Sequence, residues 1–206
     1  MTNYYLEFKK TCKEVASLNK KPTLLLHSCC APCSTACLQV LVDFFDITIY
    51  YYNPNITDLK EYLLRLQEEK TFIKKAYSDK IAIIDEEYNN NEFFSAIKGY
   101  EKDGEGSLRC YNCYKLRLEK TAKKCKELGF DYFTTTLSIS PYKNSKWLNE
   151  IGIDVANKYQ IIYLCSDFKK ENGYKKSIEL SKKYSLYRQD YCGCVYSKIE
   201  QENRKK

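Results

Sequence analysis

Apolar positions along the chain alternate between two patterns: short unbroken runs and longer stretches with apolar residues every three or four positions. The short runs predict five strands: Thr23–Leu26, Ile47–Tyr52, Lys80–Asp85 around Ile81-Ala82-Ile83-Ile84, Tyr132–Leu137 and Gln160–Leu164. Their Leu, β-branched and aromatic content suits strands buried on both faces. The longer stretches predict helices between them. Tyr5, Phe8, Cys12, Val15 and Leu18 mark an N-terminal helix within 1–20, closed by Pro22, and a second helix runs from Ser34 to Phe45. Leu59, Tyr62, Leu63, Leu66, Ile73 and Tyr77 give one face of a long helix over 58–77. A helix beginning near Cys110 runs to Leu128 with Gly129 as its cap, another carries Leu148, Ile151, Val155 and Tyr159, and the last spans Tyr174–Tyr184. The acidic segment 86–106 predicts a mobile insert with one short helix around Phe93–Ile97, and 186–206 a tail containing Cys192-Gly193-Cys194.

Strands alternating with helices predict an α/β fold: one domain over 1–206, with a parallel sheet of about five strands covered on both faces. Ligands in such sheets bind beyond the carboxyl ends of the strands. The polar and cysteine clusters of this chain follow the first, second and fourth strands, so they converge on one site.

Composition narrows the chemistry. A length of 206 residues supports one substantial core. The formal charge of +7 suits an anionic partner such as RNA, although abundant surface lysine serves solubility equally well. Eleven cysteines accompany a first stretch that does not read as a secretory leader and no apolar run of membrane-spanning length. The expectation is a cytoplasmic protein, without a membrane partner, whose cysteines bind metal or do redox work.

The densest chemistry lies in His27-Ser28-Cys29-Cys30-Ala31-Pro32-Cys33, between the first strand and the next helix. Taken alone, Cys30-Ala31-Pro32-Cys33 reads as a thioredoxin-like dithiol, its thiolate favoured by a helix N-terminus. That reading leaves Cys29 and a second C-x-x-C, Cys110-Tyr111-Asn112-Cys113, without a role. Four thiolates from two such turns suit zinc or an iron–sulfur cluster, and a structural zinc site in an RNA-binding module is the plainer alternative. Cys12, Cys37, Cys125 and Cys165 fall on apolar positions and read as core. His27 is the only histidine, which excludes a histidine metal triad and Ser-His catalysis; it reads as a hydrogen-bonded neighbour of the cysteines.

The motifs Tyr51-Tyr52-Asn53-Pro54-Asn55-Ile56, Arg109-Cys110-Tyr111-Asn112-Cys113-Tyr114 and Leu186-Tyr187-Arg188-Gln189-Asp190-Tyr191-Cys192-Gly193-Cys194, in this order after the first cysteine turn, resemble the QueH-type epoxyqueuosine reductases. Thr134–Lys143 and Asp167-Phe168-Lys169-Lys170 fit as well, whereas Ile56-Thr57-Asp58 departs from a pattern in which a His-Pro-like pair follows the Ile. The resemblance spans 23 to about 195. It implies a Rossmann-like fold of the adenine-nucleotide-hydrolase group. It also implies a 4Fe-4S cluster, a second iron or zinc ion beside it, and no cobalamin. The implied partners are a tRNA with a GUN anticodon carrying epoxyqueuosine, and an electron donor. ATP chemistry is not expected, because the turn after the first strand holds thiols where a phosphate loop would need glycine.

On that resemblance Cys29, Cys30, Cys110 and Cys113 are the expected cluster ligands, Cys33 serves the second metal or the cluster, and Asp167 is a weaker carboxylate candidate. Cys192 and Cys194 are candidates for a redox-active disulfide, for ligands or for a staple. Tyr52, Tyr142 and Tyr191 are candidate proton donors. Asn53, Asn55, Ser138, Ser140, Lys143 and Arg188 are the expected substrate-binding residues, with Lys143 and Arg188 toward phosphate.

Overall fold

The structure is a computed structural model that describes residues 2–78 and 80–205; Met1 and Lys206, the ends of the expected domain and tail, lie outside the described residues. Five parallel strands, β1 (Thr23–His27), β2 (Asp46–Tyr51), β3 (Ala82–Asp85), β4 (Tyr132–Thr135) and β5 (Ile162–Tyr163), form one sheet in the order β3-β2-β1-β4-β5. Leu24 and Leu26 point to one face of the sheet and Leu25 to the other, so both faces need cover. Helices α1 (Tyr4–Ala16), α2 (Ala31–Leu41), α3 (Leu59–Tyr77) and α7 (Gly173–Lys183) contribute to the first layer; there Leu24, Leu26, Ile47 and Ile49 meet Phe8, Cys12, Leu38 and Phe72. On the other face Leu25, Tyr50 and Phe133 meet Leu118, Cys125, Leu148 and Ile151 from α5 (Leu108–Leu128) and α6 (Ser145–Tyr159).

The expected α/β sheet is present, and the differences lie at element ends. Helix α2 starts three residues before the expected Ser34, at Ala31. Pro32 suits a first helical turn, where its missing N–H removes no bond, and Cys30 in an extended conformation leads into it. Strand β4 stops at Thr135 because its hydroxyl accepts from the Leu137 N–H and turns the chain into a short 3₁₀ helix, Thr136–Ile139. Segment 86–106 carries α4 (Asn91–Ala96), where Phe93 and the following Ile97 are buried. The tail is not all irregular: α8 spans Val195–Arg204, with the Ser197 N–H donating to Cys194 Sγ at its start. Among the described residues no helix is long and apolar enough to cross a membrane.

Candidate thiol-lined active site

The chain runs β1, β2, β3 outward and then crosses back to β4 on the other side of β1, so the strand order reverses between β1 and β4. The crevice at such a reversal is the natural ligand site of an open α/β sheet. Here it receives the cysteine turn from β1 and the 3₁₀ turn from β4. Ser28 N–H donates to Tyr50 O at 3.0 Å, and the Asn53 amide donates to Ser28 O at 2.9 Å. Behind the turn, Ser28 Oγ and Ser34 Oγ lie 2.7 Å apart, and Ser34 donates to Glu69 Oε1 at 2.5 Å. So anchored, the turn brings the Sγ atoms of Cys29, Cys30 and Cys33 within 4.8 Å of one another, with Cys29 and Cys30 at 3.8 Å.

Three thiols this close cannot all ionise freely. Hydrogen bonds from Cys30 and Cys33 hold the Cys29 thiol well below its usual range. The same bonds, run in reverse, push Cys30 up to about 12 and Cys33 well above its usual value. Without metal, Cys29 is the member of the trio whose ionised form is favoured. Three cations stand around it: Arg65 from α3, Arg117 from α5 and half-buried Lys143. Burial disfavours charge on Lys143, but the sulfurs of the nearby cysteines outweigh it and favour the ammonium. His27 is neutral, since burial foremost and then Arg117 push it down to about 3. Its Nδ1 meets Thr135 Oγ1 at 2.8 Å and its Nε2 meets Tyr52 O at 3.1 Å. The ring is a fixed hydrogen-bonding neighbour, as its position in the sequence suggests.

The second C-x-x-C occupies the first turns of α5. Gly106 N–H donates to Cys110 Sγ at 3.3 Å, and Cys113 is buried among Phe93, Ile97 and Cys194, where desolvation pushes it up to about 12. The sulfurs gathered within 4.8 Å are those of Cys29, Cys30 and Cys33; Cys110 and Cys113 stand outside that group, on the first turns of α5. The tail closes the site. Gly193, at φ +119°, reverses the chain so that Cys192 lines the cavity while Cys194 packs against Cys113. A side chain there would meet Ile56 Cγ1 at 2.9 Å. Thr57 N–H donates to Gly193 O, Arg65 to Cys192 O, and Gln189 Nε2 to Cys30 Sγ at 2.9 Å. Cys192 and Cys194 are both free thiols.

A cavity of about 390 Å³ opens over the thiols, lined by Cys29, Cys33, Asn53, Asn55, Ser140, Tyr142, Lys143, Arg188, Tyr191 and Cys192 among the expected residues. Others are placed differently. Asn53 touches the cavity but its amide is fully engaged, giving to Ser28 O and accepting from Arg117 at 2.6 Å; neighbouring Asn55 is buried with its Oδ1 unpartnered. Both line the cavity, and of the two Asn55 is the one with an acceptor left open. Ser138 is buried and committed to Ser166 and Phe168 N–H, away from the cavity. Asp167 pairs with Lys169 at 2.8 Å and belongs to neither the thiol group nor the cavity wall. Tyr52 donates to Glu92 and also lies off the cavity, whereas the other two candidate tyrosines, Tyr142 and Tyr191, line it, as does Tyr174. Arg65, Arg117 and Gln189 were not expected there. Arg117 had one sequence signal: it follows Cys113 by four positions and so shares its helix face.

The donor set is all sulfur, compact and ringed by cations, which fits a thiophilic metal ion or an iron–sulfur cluster. Residues 24–200 match the family described as epoxyqueuosine reductase QueH. The chain is 42% identical over 202 residues to the epoxyqueuosine reductase QueH of Streptococcus pyogenes serotype M1, covering 95% of this chain and 79% of that protein. It is 41% identical over 211 residues to the protein of that name from Staphylococcus epidermidis, covering 98% and 88%. The one from Thermotoga maritima is 36% identical over 185 residues, covering 88% and 93%.

Proposed function

The chain belongs to the QueH family of epoxyqueuosine reductases, and from that membership and the thiol crevice we propose that it reduces epoxyqueuosine to queuosine in tRNA, the final step of queuosine biosynthesis. The observation that carries the reading is the convergence of the Cys29, Cys30 and Cys33 sulfurs at the strand-order reversal. Cys29 and Cys30 with Cys110 and Cys113 hold a 4Fe-4S cluster, and Cys33 serves a second iron or zinc ion or the cluster itself. Such a centre supplies electrons singly and a Lewis acid that draws on oxygen.

The reaction converts an epoxide to an alkene: two electrons and two protons enter, both C–O bonds break and the oxygen leaves as water. The protein's side chains bind and orient the substrate and supply protons. Asn55 Oδ1, buried and unpartnered, accepts from an N–H or O–H of the substrate. Tyr142, 72% exposed at the cavity rim, offers a ring on which a base that has left its stack can rest. Tyr142 and Tyr191, both lining the cavity with Ser140, supply the protons. Lys143 and Arg188 hold phosphate, so affinity for tRNA falls with salt. The substrate is a GUN-anticodon tRNA, the electrons come from a separate carrier, and Cys192 with Cys194 cycles between dithiol and disulfide. The protein works in the cytoplasm.

Anaerobic purification followed by iron and sulfide analysis, then mass spectrometry of tRNA nucleosides after incubation with a reductant, tests the reading. Conversion of epoxyqueuosine by iron-loaded protein is the expected result. A colourless zinc protein that binds tRNA without altering it would overturn it.

A further inference from the structure

We propose that Arg117 is the fixed counter-charge of the thiolate centre: a buried guanidinium balanced by cysteine sulfur instead of by a carboxylate. The inference rests on the reading of these thiols as metal ligands. Arg117 is 1% exposed, yet among the described residues it forms no ion pair. The other buried arginines do: Arg65 reaches Glu61 at 2.7 Å and Arg109 reaches Glu200 at 2.6 Å.

The neighbours of Arg117 are neutral polar groups and thiols. Its Nη2 donates to Asn53 Oδ1 at 2.6 Å, its Nε faces His27 Nε2 at 3.3 Å, and its Nη1 has no oxygen or nitrogen acceptor. His27 carries no charge at neutral pH, so it cannot balance the guanidinium. The groups that favour the charged arginine, against its burial, are Cys113, Cys29 and Cys192. They come from α5, from the turn after β1 and from the tail: Arg117 lines the same cavity as Cys29 and Cys192 and follows Cys113 by one turn of α5. A buried charge without a partner is heavily penalised by its lost hydration. Thiolates held ionised by a metal centre relieve that penalty. A fixed positive charge beside a centre that gains an electron also favours its reduced state, which makes Arg117 a positioning residue that sets how readily the centre is reduced.

The test uses wild-type protein, R117K and R117Q, each loaded with iron and sulfide without oxygen and titrated with dithionite while the visible spectrum is followed. At the wild-type midpoint, the ratio of reduced to oxidised centre in R117Q is expected to fall on the order of tenfold, the effect of one unit charge acting over several ångström in a partly buried site. R117K keeps the charge and is expected to titrate with wild type. The Gln amide ends where the Arg117 Nε stands, short of Asn53, so N53A, which removes that hydrogen bond and keeps the charge, is titrated beside it and is expected to follow wild type, separating loss of charge from loss of the bond. A loaded R117Q that titrates as wild type overturns the inference. So does failure of both variants to fold, which would make Arg117 a structural tie between His27 and Asn53. A wild-type chain that takes up no iron would instead sink the underlying metal reading, and the inference with it.

Discussion

Gln189 Nε2 donates to Cys30 Sγ across 2.9 Å, joining the tail to the cysteine turn between residues 159 positions apart in sequence. Cys30 is buried and the Gln189 amide is its polar cover from the tail side. Q189L removes the donor without removing bulk. It is expected to destabilise the protein by about 0.5–1.5 kcal/mol and to speed alkylation of Cys30, read by peptide mass spectrometry of the metal-free protein.

Asn53 and Asn55 should give opposite phenotypes although they are two residues apart. N53A strips a donor from Ser28 O and an acceptor from Arg117, so it should lose about 2–3 kcal/mol of stability. N55A removes a side chain whose oxygen has no partner in the protein. Its melting temperature should hold while KM for tRNA rises. Equal loss of stability in both variants would contradict this assignment.

The Glu69 carboxyl sets a pH dependence of known sign. Burial foremost pushes it from 4.5 up to about 8. From about pH 4.5 the unfolded chain releases this proton while the folded chain keeps it until about pH 8. The unfolded state thus binds fewer protons across that window, and stability declines as pH rises through it. E69Q cannot titrate. Between pH 5 and 8 the wild type should lose on the order of a few kcal/mol relative to E69Q, measured by urea unfolding at each pH.

Gly193 cannot be replaced without strain. Its φ of +119° disfavours any side chain, and a Cβ would press on Ile56 at 2.9 Å. G193A should lose about 1–3 kcal/mol and open 192–204 to hydrogen exchange before the sheet. Exchange at wild-type rate in that segment would contradict the account.

Iron content divides the cysteines. C30A and C33A should each lose bound iron, because both sulfurs belong to the 4.8 Å group. C37A, one turn further along α2 and fully buried in the core, should keep its iron and lose only stability.

The sheet was legible because strands buried on both faces write uninterrupted apolar runs, such as Leu24-Leu25-Leu26, between helices of clear period. The cysteine turn was legible by its placement between such a run and a helix. What escaped was set by tertiary partners. Pro32 admits a helix three residues earlier than the apolar spacing indicates, and the partners of Tyr52 and Asn53, namely Glu92, Ser28 and Arg117, come from distant parts of the chain. Arg117 and Gln189 carry ordinary surface side chains in sequence. Only the return of α5 and of the tail to the β1 turn buries one and aims the other at sulfur.

The tail that covers the thiols is also made long after them. During synthesis the cysteine turn leaves the ribosome first, and more than 150 residues follow before Gln189, Cys192 and α8 exist to close over it. The floor is completed by β4 and the turn after it, and until the tail follows the crevice has no roof. Metal arriving then meets the turn without its tail; metal arriving later enters by the cavity, one wall of which is held by Gln189, Arg65 and the Thr57–Gly193 hydrogen bond. The order of translation thus orders the assembly of the site.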